Sequence, residues 1–176
     1  MCNKFFHKKL NNINTMSNVK FRYLRGKLGM SRTACAKYLG LSSAEEIALF
    51  ENGTSSIRPE YTENLAYLDS KIEIAVILEV DTFSQTLERE VILVRFLTDH
   101  EFALYEPELY AELGASSVHG VFIRRTKKAI ERIGGEVTVA FMDSEFYETW
   151  LGVNDFDDSR DLRTAWVRQQ IRGLDK

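Results

Sequence analysis

Proline occurs only twice in the 176 residues, at Pro59 and Pro107, and cysteine only twice, at Cys2 and Cys35. So little proline, with 44% hydrophobic and 28% charged residues, excludes a proline-rich linker or a largely disordered chain and points to a folded protein. Two distant cysteines cannot build a disulfide framework, which excludes the disulfide-stapled secreted class and fits a reducing, cytoplasmic setting. No apolar run approaches the roughly 20 residues that cross a bilayer, so a membrane is not an expected partner. The opening MCNKFFHKKLNNINT is basic but has no apolar stretch of the kind a secretion signal needs. Residues 1–17 are therefore expected to form a disordered basic leader, with Met16 as a candidate start.

Chemistry is equally sparse. His7, His100 and His119 stand apart from cysteines and carboxylates at ligand spacings, so no metal site is expected. The chain has no glycine-rich phosphate loop, no G-x-S-x-G elbow and no assignable nucleophile–base pair. An enzyme is thus the least favoured class, with no catalytic residue and no cofactor expected. The stretch DFDDSRD places Asp155, Asp157, Ser159 and Asp161 as in a calcium loop. Arg160 replaces the glycine that such a loop needs and Trp166 its bidentate glutamate, so a solvated loop before the last helix is the better account.

The most telling absence is acid. Up to Ala44 the chain carries nine lysines and arginines and no Asp or Glu; the other fourteen cations face all 26 acids beyond it. A net charge of −3 therefore hides a basic front and an acidic remainder, a split that suits a polyanion partner.

The pattern of apolar residues divides the chain in the same place. Phe21, Leu24 and Leu28 recur at helical spacing and predict a helix over 18–28. Ser31 can cap a second helix, 32–39, stopped by Gly40; Ser42 or Ser43 can cap a third, 44–51, closed by Asn52 and Gly53. Pro59 opens a long helix to about Val80, the expected bridge between domains. Beyond it the spacing predicts strands at 91–97, 117–123 and 136–142. Helices are expected over 99–113 with an interruption at Pro107, over 126–133, over 144–151 and from Ser159 to about Arg172. The fold class expected is α+β: a helical domain at 18–83 with its connecting helix, and a C-terminal domain of about three strands with helices at 84–176.

Residues 24–53 resemble the Cro/repressor-type (Xre) helix-turn-helix family. The matching positions are Leu24, Ser31, Ala36, Leu39–Gly40, Leu41–Ser42, Ile47 and the FENG at 50–53. Ala36 is small where the two helices cross, Gly40 permits the turn, and Leu39, Leu41, Ile47 and Phe50 close a miniature core. The resemblance implies a DNA-binding unit, with Arg32 where the family usually carries Gln as a phosphate contact, and a turn one residue longer. The DNA-facing residues it implies are Ser43, Ala44, Glu45, Glu46, Ala48, Leu49 and Asn52 on the third helix. Phosphate contacts would come from Arg25, Lys27, Arg32, Thr33, Lys37 and Arg58, helped by Lys20 and Arg22. Glu45 and Glu46 have the wrong sign for phosphates; a glutamate can read cytosine, and one in a first helical turn is also favoured by the helix dipole alone.

The C-terminal half is weakly similar to the C-terminal domains of anti-CRISPR-associated regulators, a likeness that implies dimerisation and autorepression. Phe102, Tyr105, Tyr110, Phe141, Phe146, Tyr147 and Trp150 could build a dimer core or fill the subunit's own core. The expectation is a dimeric repressor that occupies an operator in double-stranded DNA, on half-sites about 34 Å apart. Its alternatives are an antitoxin that clasps a toxin, and a regulator with a small-effector site in the C-terminal domain.

Overall fold

The computed structural model describes residues 17–87 and 89–174, and places nine helices and a two-stranded parallel sheet among them, an α+β chain. The expected leader lies outside the described residues except for Ser17. The chain divides into two compact units, 1–72 and 73–176.

The first unit begins with helix α1 at 17–27. Helices α2 (Arg32–Tyr38), α3 (Ala44–Glu51) and α4 (Pro59–Ser84) follow, and α4 belongs to this unit as far as Ile72. Each start has a local cause. Ser31 Oγ accepts the Ala34 N–H at 3.0 Å and caps α2. Gly40 has φ +68°, a left-handed turn that other residues adopt only with strain, and it ends the α2 segment. Pro59 occupies the first position of α4, where its missing N–H costs nothing. The core joins Phe21 and Leu28 to Ile47, Leu65, Leu68 and Ile72, all fully buried. Phe21 meets Phe50 edge-on at 6.0 Å, and Phe50 meets Tyr61 at 5.9 Å.

The second unit starts with the rest of α4. It continues with β1 (Glu90–Arg95), α5 (Asp99–Tyr105), α6 (Pro107–Leu113), α7 (Ser116–Arg132), β2 (Glu136–Phe141), α8 (Ser144–Asn154) and α9 (Arg160–Leu174). Thr98 and Glu101 cap α5 reciprocally, each side chain taking the other's backbone N–H. Pro107 ends the run and opens α6. The two strands pair in parallel from Glu90 opposite Glu136 to Arg95 opposite Phe141, so the three helices between them form the crossover that parallel strands require. Helix α7 packs on both strands and α9 on β1, which covers a sheet too small to stand alone.

One expectation fails here. The segment 117–123 is not a strand: with 126–133 it forms the single helix α7, and the sheet has two strands rather than three. Residues 118–123 are all buried, so the sequence reads as a continuous apolar run. Such a run has no polar face by which to tell period 2 from period 3.6. The aromatics of this unit fill its own core in part: Phe102, Tyr105 and Tyr147 are buried, whereas Phe141 and Phe146 are exposed.

Candidate nucleic-acid interface

Helix α3 has two unlike faces. Ile47 and Phe50 point inward, and Glu51, four residues after Ile47, lies on the same side with its side chain only 1% exposed. A carboxylate on an apolar stripe needs partners. It has two: Arg25 Nε donates to Oε1 at 2.6 Å and Arg32 Nε to Oε2 at 2.9 Å. Burial alone would push the Glu51 carboxyl up, but the hydrogen bonds and charges of the two arginines outweigh it and hold it below the usual carboxylate range. One buried anion thus ties α1, the head of α2 and the end of α3 together.

The outer face is solvent. Glu45 and Asn52 are exposed, Leu49 is 41% exposed, and Ser43, Ala44 and Ala48 are half-buried beside them. Glu46 is already engaged. Its Oε1 accepts from the Ser42 hydroxyl at 2.6 Å and from the Ser42 N–H at 3.0 Å, and these bonds lower its pKa. Ser43, the N-cap by position, makes no side-chain cap bond, so Glu46 satisfies this helix start in its place. The two neighbouring acids therefore differ: Glu46 shapes the turn before α3, and Glu45 projects from the helix with no hydrogen bond or ion pair among the described residues.

Among the cations, Arg25 spends Nε on Glu51 and Nη1 on the Met30 carbonyl, and Lys27 donates to Asp69 at 2.6 Å. Both are held by their own subunit. Arg32 holds Glu51 with one nitrogen while its side chain stays 48% exposed. Thr33 and Lys37 are exposed along α2, as are Lys20 and Arg22 on α1. Arg58 is exposed at the head of α4, pairs with Glu60 at 3.0 Å and lies over the Tyr61 ring at 4.3 Å. Among the described residues no group of three or more His, Cys, Asp or Glu could hold a metal ion. Cys35 is buried, and burial pushes its thiol up to about 12, which makes it a packing residue and not a nucleophile.

The Glu51 clasp was readable in principle, from a glutamate four residues after a core isoleucine. Its partners were not, because 26 residues separate Arg25 from Glu51 and 19 separate Arg32 from it, and no local spacing pairs them.

The family model for DUF4447, a domain of unknown function, matches residues 10–171. The chain belongs to the DUF4447 family. No curated protein matches it. The DUF4447 match runs through both compact units, so the helical N-terminal unit and the α+β unit after it are parts of one family pattern.

Proposed function

We propose that this DUF4447 protein is a sequence-specific regulator of transcription that binds double-stranded DNA through α2 and α3, as a dimeric repressor occupying its operator. The observation that carries the reading is the division of α3. Its inner face is locked by Ile47, Phe50 and the Glu51 clasp, while its outer face, from Glu45 through Leu49 to Asn52, is left to solvent. A short rigid helix with an uncommitted outer face suits insertion into a major groove. Arg32, Thr33 and Lys37 on α2 provide exposed donors for the phosphate backbone. Ile74 and Ile77, 58% and 65% exposed on α4, support a second copy as the partner that supplies the other half-site.

The test is fluorescence anisotropy with duplexes from the region upstream of the chain's own gene, against scrambled duplexes of equal length. Preference for one duplex, with Lys37→Ala weakening binding to all sequences alike, supports the reading. Equal, salt-insensitive or absent binding by the folded protein overturns it.

A further inference from the structure

The second unit forms a partly open cavity of about 340 Å³ for which DNA binding has no use. That volume lies within the range of small-molecule sites. One wall is apolar, built from Leu93, Phe96, Leu109, Phe122 and Ile123. His119 of α7 opens onto it and is only 3% exposed. Its ring stacks on Phe102 at 4.5 Å and on Phe96 at 5.4 Å. Nδ1 is sealed and, among the described residues, has no hydrogen-bond partner, whereas Nε2 is not among the sealed atoms. Burial, then the charges of Arg95 and Arg160, pushes its pKa down to about 4, so the imidazole is neutral near pH 7. A neutral, buried and unsatisfied imidazole beside a cavity is a hydrogen-bonding group with no protein partner.

The charges around the cavity show which guest fits. Both wall guanidiniums are already answered: Arg160 donates to Glu79 at 2.9 Å, and Arg163 to Glu106 at 2.7 Å and to Asp158. Two carboxylates are left, Glu108 and Glu112, exposed on the cavity's α6 side with no ion pair among the described residues. They are four residues apart, the spacing at which like charges on a helix repel. Glu112 also falls in the last turn of α6, where the carbonyl end of a helix disfavours an anion. An anionic guest would add to this repulsion, and a neutral one would leave it standing.

We infer that the cavity binds a small organic cation: a protonated amine on a compact aromatic body that carries a hydroxyl. The body lies against the apolar wall, the ammonium faces Glu108 and Glu112, and the hydroxyl meets His119 at Nε2, the ring nitrogen that is not sealed. This site does not rest on DNA binding, and its assay contains no DNA, so either reading can fail without the other.

Isothermal calorimetry of the full chain with four probes tests it: tyramine, phenethylamine, tyrosol and 3-(4-hydroxyphenyl)propionate. Tyramine is expected to bind at least tenfold more tightly than the neutral tyrosol or the acid, and several-fold more tightly than phenethylamine. The double variant Glu108→Gln/Glu112→Gln changes only exposed side chains; it should fold and lose the preference for tyramine over tyrosol. His119→Phe keeps a stacking ring and should lose the preference for tyramine over phenethylamine. Binding by none of the four, an acid that binds as tightly as tyramine, or a charge preference that survives the double variant would overturn the inference.

Discussion

Replacing Glu51 with alanine is expected to damage the first unit more than any surface change on it. Its carboxylate is 1% exposed and answers two guanidiniums at 2.6 and 2.9 Å. Removing one member of a buried ion pair costs about 3–5 kcal/mol, because the other charge stays buried and unpaired. Here the Arg25 and Arg32 side chains are 18% and 48% exposed, so water recovers part of that loss. The expected destabilisation is roughly 2–3 kcal/mol, a large share of the roughly 5–15 kcal/mol that holds a typical domain. Urea unfolding followed by far-ultraviolet circular dichroism measures it. Both tryptophans, Trp150 and Trp166, lie in the second unit, so lost helicity without a matching change in tryptophan fluorescence locates the damage in the first. Acidity gives a second check. A carboxyl held below its ordinary value of 4.5 contributes stability that is complete above that value and disappears as pH falls through the lowered one. The gap between wild type and the isosteric Glu51→Gln should therefore be widest near neutral pH and close in strong acid. A loss under about 0.5 kcal/mol at pH 7, or a gap that widens on acidification, would refute the clasp as a source of stability.

Three further outcomes are expected. Ser31→Ala removes the side-chain cap on the Ala34 N–H and should cost about 1 kcal/mol in the same urea assay. Gly135→Ala would set a Cβ 2.5 Å from Ile130 Cγ2 and 2.6 Å from the Phe83 ring; overpacking of this kind costs about 1–3 kcal/mol, and tryptophan fluorescence should report it. Glu45→Ala should change which DNA sequence is preferred without changing the unfolding midpoint, whereas Glu46→Gln should loosen the start of α3, seen as faster amide exchange at Ser42.

The ends of elements were legible wherever one residue type has one mechanical use. Ser31, Gly40 and Pro59 each mark a boundary because a cap, a left-handed turn and a first helical turn select those side chains. Helix α3 spans the very residues, 44–51, that its flanking Ser43 and Asn52 predict. Legibility fell where burial removed the pattern: the run at 118–123 is apolar on every side, and only its continuation through Thr126 and Ile130 shows that it is helical. Helix α4 runs on to Ser84 beyond the last strongly periodic residue, since nothing between Val80 and Ser84 breaks a helix. The setting of His119, weighed in the sequence only as a metal ligand, was hidden for a related reason. Inside an apolar run the histidine looks like a core residue, and only the fold shows that its Nδ1 has no hydrogen-bond partner among the described residues and that a cavity lies beside it. At the candidate interface the sequence shows the cations but not their commitments; that Arg25 is held by Glu51 and Lys27 by Asp69 appears only in the fold.

The central claim is that α2 and α3 grip duplex DNA, and the salt dependence of binding tests it most directly. Affinity for the upstream duplex should fall as salt rises, with a slope of about −0.9 for each phosphate neutralised. Lys37→Ala should make that slope shallower by about one contact while leaving the preferred sequence unchanged. A folded protein that shows no duplex binding at 50 mM salt, or binding whose salt slope Lys37→Ala and Arg58→Ala both leave untouched, would contradict it.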